Sequence, residues 1–221
     1  MDNKIKTKEW WNKYKLTQRW NDHTYSAWKK YFNNEDNQGY KHTNSIRNVL
    51  EVGCFEGSTS MWLCDNVLKS GSTFDMIDSF EGSIELGERA IKAKLSGKSR
   101  DDSYVEDNLR YNISHHPDIN FRIYKGYSQN ILPKLYNLGN KYDLIFVDAS
   151  HHSDDTFVDG YYCHKMLNKN GLIIFDDWGW TFPEMKFKYE IPKFGIDFFF
   201  EMYSNQYYEL DNKYQKFGQK K

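Results

Sequence analysis

Glu51-Val52-Gly53-Cys54-Phe55-Glu56-Gly57-Ser58, emerging from an apolar run that begins at Val49, decides how this chain folds. Val49 to Val52 has the composition of a strand. Glycines at Gly53 and Gly57 let the chain turn tightly and bring backbone N–H groups close to a ligand, and Ser58 is placed to cap a following helix. A dinucleotide fingerprint would need glycine where Phe55 and Ser58 stand. Phe55 obstructs a pyrophosphate pressed onto this turn, and Glu51 would meet it with like charge. The cationic amino acid part of S-adenosylmethionine would instead welcome a carboxylate. The loop therefore favours a methyl donor over NAD.

Further strand-like runs follow at Phe74 to Ile77, Tyr142 to Val147 and Leu172 to Phe175, each ending beside an acid, with a weaker alternating one at Ile119 to Tyr124. Helical stretches alternate with them: Ser58 to Leu68, Tyr104 to Ile113, Asn130 to Leu138 and Asp154 to Leu167. Strands joined by helical crossovers run parallel, and nearly continuous apolar runs suit strands covered on both faces. This predicts an α/β, doubly wound, mostly parallel sheet. After it come a helix over Phe194 to Tyr203 and a hairpin of Tyr207 to Leu210 and Tyr214 to Phe217, turning at Asp211-Asn212. Residues 1–45 are polar, with tryptophans at Trp10, Trp11, Trp20 and Trp28, and read as a helical extension packed on the cofactor and substrate side of a domain spanning 46–221. The charged stretch from Gly82 to Ser103 reads as a helix or lid.

Ligands of an open parallel sheet sit at the carboxyl ends of its strands, near the switch in strand order. Asp78, with Ser79 beside it, ends the second strand and is placed to accept hydrogen bonds from both ribose hydroxyls. The bland alternative, that Glu51 and Asp78 are solvated strand-end acids, must explain two glycines and two acids in register with two strands. Ser128, in Gly126-Tyr127-Ser128-Gln129, is either an adenine contact or a helix cap. Asp148 ends the fourth run and Asp176-Asp177 the fifth, on strands about 4.8 Å apart. Three converging carboxylates need a proton or a cation, and a hard divalent ion such as Mg²⁺ resolves the repulsion. Otherwise Asp177 caps the loop and Asp148 touches only cofactor. His151, three residues past Asp148, can reach a hydroxyl held there and act as general base, with Asp148 as the other catalytic residue. His152, His115 and His116 are read as structural. Trp178, Trp180, Phe182 and Pro183 could wall an acceptor, or be core.

The Glu51 to Ser58 loop, Asp78-Ser79-Phe80-Glu81-Gly82, Val147-Asp148-Ala149-Ser150-His151 and Asp176-Asp177 resemble class I S-adenosylmethionine-dependent methyltransferases. More narrowly they resemble the macrocin O-methyltransferase group, which methylates sugar hydroxyls. Ile191-Pro192-Lys193, Ile196-Asp197-x-Phe199 and Tyr214-Gln215 extend the resemblance to the C-terminus; Ala149 stands where that group usually has Gly. The resemblance implies a seven-stranded sheet with a C-terminal antiparallel hairpin, S-adenosylmethionine bound by Glu51, Gly53, Gly57, Ser58, Asp78, Ser79, Ser128 and Asp148, and metal ligands at Asp148, Asp176 and Asp177. The competing expectations are a nucleotide-dependent oxidoreductase, which lacks its third glycine, and a non-catalytic cofactor-binding subunit, for which the acid and histidine cluster has no purpose.

The 221 residues are enough for one domain, and 30 basic against 31 acidic residues give a net charge of −1. No global field attracts a polyanion, so nucleic acid is disfavoured and a small-molecule acceptor is expected. No run approaches the length of a membrane span, and the polar start lacks the apolar core of a signal peptide. A cytoplasmic protein with reduced thiols at Cys54, Cys64 and Cys163 is expected. Homo-oligomerisation is left open.

Overall fold

Each strand alternates its side chains between two faces, and in this chain both faces are apolar, so the sheet must be covered on both sides. A computed structural model describes residues 12–18, 20–33, 39–81, 103–181, 187–211 and 214–221. Among these the order is α1 (Tyr25–Phe32), β1 (Asn48–Val52), α2 (Ser58–Asn66), β2 (Thr73–Asp78), α3 (Ser103–Ile113), β3 (Asn120–Lys125) and α4 (Ser128–Asn137). There follow β4 (Tyr142–Val147), α5 (Ser153–Met166), β5 (Leu167–Phe175), α6 (Pro192–Met202), β6 (Tyr207–Asp211) and β7 (Lys216–Lys220). One seven-stranded sheet results, ordered β3-β2-β1-β4-β5-β7-β6. The first five strands are parallel, while β7 runs antiparallel between β5 and β6. The predicted doubly wound fold with its terminal hairpin is the observed one.

The alternation sorts the core into two layers. Val49, Phe74, Met76, Leu144, Phe146 and Ile174 meet one cluster with α1, α2 and α3. Leu50, Val52, Ile77, Ile145, Val147 and Phe175 meet the other with α4, α5 and α6. The segment before β1 belongs to the first layer: Trp28 is fully buried, with its ring centroid 5.3 Å from those of both Trp62 and Phe146. No helix among the described residues is long and apolar enough to cross a membrane.

Several boundaries differ from expectation. Helix α6 starts at Pro192, whose fixed φ and missing N–H suit a first turn. Strand β5 starts directly after α5, at Leu167, and its pairing with β4 shifts register between Tyr142 and Leu144. Strand β7 starts at Lys216 rather than Tyr214. Ser58 does not cap α2: the cap position is Gly57, in left-handed conformation, and the Ser58 hydroxyl meets Tyr25 Oη at 2.8 Å. The lid expected from Gly82 to Ser103 lies, except for its last residue, outside the described residues, as do Trp10, Trp11, Phe182, Pro183 and Asn212.

Candidate active site

Strand order reverses between β1 and β4, and the crevice this opens is where a parallel sheet binds ligands. The ladder continues one residue past the strands: Gly126 donates to the Asp78 carbonyl (2.8 Å), Gly53 to Ile77 (2.8 Å), Asp148 to Val52 (2.7 Å) and Asp176 to Val147 (3.0 Å). Asp78, Gly53, Asp148 and Asp176 thus emerge in a row along the carboxyl edge. Gly53 has φ +87°, and a Cβ there would lie 1.9 Å from the Asp148 carbonyl oxygen, so no other residue fits this crossing. The cleft above has a volume of about 820 Å³, within the range of cofactor pockets.

At one end, Glu51 and Asp78 face the cleft. Glu51 is buried, accepts a hydrogen bond from the Ser60 hydroxyl, and is pushed up to about 8 by burial. A cationic ligand would reverse that shift. Asp78 accepts the Phe55 N–H on Oδ2 and the Phe80 N–H on Oδ1, each at 2.7 Å. Burial raises its carboxyl, and these two donors oppose the rise. Both donors sit at positive φ, 47° at Phe55 and 58° at Phe80, conformations that cost about 1–3 kcal/mol each and collect at functional sites. Ser79 faces the cleft and receives the Glu81 N–H at 3.2 Å. Ser128, buried in the first turn of α4, also faces it, and the cap position there is Tyr127, with no side-chain cap bond. Ser58 lines the cleft, whereas Gly57 shapes the turn behind it.

At the other end Asp148, Asp176, Asp177 and His151 gather. His151 Nε2 lies 2.9 Å from Asp177 Oδ2, and its ring packs 4.3 Å from that of Trp180. One ligand atom each from Asp148, His151 and Asp177 fall within 4.8 Å of one another. Asp176 sits against Asp148, to which its side chain is hydrogen-bonded, and its Oδ1 receives Gln215 Nε2 at 2.9 Å. Burial and the neighbouring Asp176, Asp177 and Glu51 push Asp148 well above the carboxylate range, and burial with Asp177 pushes Asp176 up to about 7. Among the described residues no lysine or arginine pairs with these acids. Two carboxylates and an imidazole at this spacing fit a divalent cation, which would supply the missing positive charge. The ligand atoms that fall together are those of Asp148, His151 and Asp177, and Asp176 adjoins them through Asp148. Trp178 packs under this edge, its Nε1 bonded to Asp197 Oδ1 at 2.8 Å.

His152 is exposed, and its ring meets Tyr189 edge-on at 5.9 Å. His116 Nε2 lies 2.6 Å from Tyr14 Oη, and His115 contacts the Tyr111 carbonyl. Sequence reasoning did not anticipate Trp20, Asn21 and His23, which line the cleft from before β1, or Tyr214 from beyond the hairpin turn. The clustered tryptophans were the available signal, but no motif assigned them to the site.

The profile of a methyltransferase-domain family matches residues 50–178. An uncharacterised protein of Acanthamoeba polyphaga mimivirus is 27% identical over 130 residues, 58% of this chain and 50% of that protein. The chain thus spans about half the length of the curated relative it matches. Among solved structures, an O-methyltransferase from Bacillus cereus in complex with S-adenosylhomocysteine has TM-score 0.53 at 18% identity, over 81% of this chain and 77% of that one. TomG of Streptomyces achromogenes, an O-methyltransferase of tomaymycin synthesis in complex with S-adenosylmethionine, has TM-score 0.52 at 16% identity, over 79% and 73%. MycE, a methyltransferase of the mycinamycin pathway in complex with Mg and S-adenosylhomocysteine, has TM-score 0.53 at 15% identity, over 98% of this chain and 53% of that one. At these identities the likeness is one of fold. The match over residues 50–178 covers more than half the chain, and with a sheet ordered β3-β2-β1-β4-β5-β7-β6 it shows that this chain belongs to the methyltransferase-domain family, with the class I S-adenosylmethionine-dependent fold.

Proposed function

We propose that this chain transfers a methyl group from S-adenosylmethionine to a hydroxyl of a small-molecule acceptor, specifically a sugar or glycosylated compound, with a divalent cation such as Mg²⁺ at the acidic end and His151 as general base. The observation that carries this is one cleft holding both Asp78, with its two backbone donors, and the Asp148, His151 and Asp177 cluster. Asp78 takes the two ribose hydroxyls, Ser128 the adenine side, and Glu51, beside Gly53, the amino acid end. Bound in this way, the sulfonium would lie on the Asp148 side of the cleft.

When bound, S-adenosylmethionine supplies an electrophilic methyl on sulfur. A cation held by Asp148 and Asp177, with the His151 imidazole beside it and not ligated, would lower the pKa of an adjacent hydroxyl. As the acceptor oxygen forms its bond to the methyl carbon, the carbon–sulfur bond breaks with its electron pair on sulfur, and the hydroxyl proton passes to the imidazole. Trp180, against the His151 ring, and Tyr214 at the mouth offer flat apolar faces of the kind that pack on sugar rings. The test is incubation with methyl-labelled S-adenosylmethionine, Mg²⁺ and a panel of sugars, nucleotide sugars and phenols, with and without EDTA. Label in a sugar ether that EDTA suppresses supports the full reading. Label on phenols alone rejects the sugar, and transfer that survives exhaustive chelation rejects the cation.

A further inference from the structure

Trp28 and Gln215 come from opposite ends of the chain, both outside the residues shared with the family profile, and meet behind the acidic edge. Both are fully buried. Trp28 Nε1 donates to Gln215 Oε1 at 2.6 Å, and Gln215 Nε2 donates to Asp176 Oδ1 at 2.9 Å. An indole N–H can only donate, and a carboxamide has one accepting and one donating end. The indole therefore dictates which end of the amide faces Asp176. With the amide reversed, its carbonyl oxygen would confront the carboxylate while its NH₂ confronted the indole N–H, two repulsive contacts in a dry environment where each is costly. Asp176 is held a second time through its backbone N–H to Val147. Its carboxylate, fixed from the core side, flanks Asp148 and precedes Asp177, the two acids that group with His151 toward the cleft.

We infer that Trp28 and Gln215 are positioning residues for the Asp148, His151 and Asp177 cluster, acting through Asp176, so that helix α1 is part of the catalytic edge and not a cover laid over it. This rests on the proposal that the cluster holds a divalent cation. Residues that orient metal ligands from behind typically change metal affinity about 10- to 100-fold when altered, whereas a merely structural pair would change stability alone.

The test is calorimetric titration of Mn²⁺ and, separately, S-adenosylhomocysteine into the full chain and three variants. Trp28→Phe keeps the ring and removes the N–H. Gln215→Met keeps the length and removes both amide ends, and serves should Trp28→Phe fold poorly. Trp62→Phe is the control, because Trp62 packs on the Trp28 ring in the same aromatic cluster and is no member of the Trp28–Gln215–Asp176 hydrogen-bond chain. The expected result is that Trp28→Phe and Gln215→Met weaken Mn²⁺ by about tenfold or more, leave S-adenosylhomocysteine affinity unchanged, and that Trp62→Phe alters neither. Wild-type Mn²⁺ affinity in the first two variants overturns the inference while leaving the cation proposal intact. So does an equal loss in Trp62→Phe, which would reduce the effect to general softening. Absence of Mn²⁺ binding by the wild-type chain overturns the cation proposal and this inference with it.

Discussion

At Asp78 two backbone N–H groups already engage one lone pair on each oxygen, so the direction of the remaining lone pairs is set before a ligand arrives. Asp78→Ala should weaken S-adenosylhomocysteine binding by about 2–3 kcal/mol, the scale of paired charge-assisted hydrogen bonds. Calorimetry giving wild-type affinity would remove Asp78 from the ribose site. His151 and His152, adjacent in sequence, face different surroundings: one ring lies against Asp177 and Trp180, the other against Tyr189 in solvent. His151→Ala should lower kcat about 10²- to 10⁴-fold, with part of the rate returning at alkaline pH where hydroxide replaces the imidazole. His152→Ala should keep near-wild-type turnover. Steady-state assays showing the reverse pattern would shift the base by one residue.

At the scale of elements, the segment before β1 is fastened to the loop after β1 and to α2. The Thr17 N–H and hydroxyl reach the buried Glu56 carboxylate at 2.6 to 3.0 Å, Asn108 Nδ2 adds a bond at 2.8 Å, and Asn21 donates to Thr59 at 2.9 Å. Glu56→Ala would strand these donors around a cavity, and a loss of about 3 kcal/mol or more in urea unfolding is expected. A loss below about 1 kcal/mol would mean the segment is held by its aromatic contacts alone. The join between α5 and the hairpin is expected to weaken in acid. His164 Nδ1 meets Tyr207 Oη at 2.8 Å, its ring stacks 4.0 Å from that of Tyr203, and burial, with Lys220 and Lys165 nearby, lowers its pKa to about 4. The unfolded chain takes up this proton near pH 6.5, before the folded chain does. The His164 contribution is therefore complete above about pH 6.5 and is lost as pH falls toward 4. Melting temperature followed over that window should fall in the wild-type chain and fall less in His164→Gln. Equal slopes would assign the acid sensitivity to other groups.

For the whole molecule, what was legible in sequence was whatever is local. The parallel core could be read because β1, β2 and β4 are mostly apolar runs with an acid at or beside the carboxyl end, and the row of Gly53, Asp78, Asp148 and Asp176 follows from strand ends sharing one edge of a parallel sheet. The facing partners of those residues could not be read. Gln215 reaches Asp176 across 39 positions and Trp28 reaches Gln215 across 187, and no periodicity encodes such pairs. The left-handed backbone at Phe55, Phe80 and Asp177 was equally hidden, because aromatic and acidic side chains do not advertise positive φ as glycine does. The exact reach of α6 and β5 was missed where Pro192 starts a helix and where β5 follows α5 without a loop. The central claim is that one cleft joins a nucleotide end at Asp78 to a cation and base end at Asp148, His151 and Asp177. A crystal structure of the full chain grown with S-adenosylhomocysteine and Mn²⁺, with anomalous data to locate manganese, tests it most directly. Ribose hydroxyls on Asp78, sulfur directed toward Asp148, and an anomalous peak between Asp148 and Asp177 are expected. A nucleotide bound outside this cleft, or manganese bound away from those carboxylates, would contradict it.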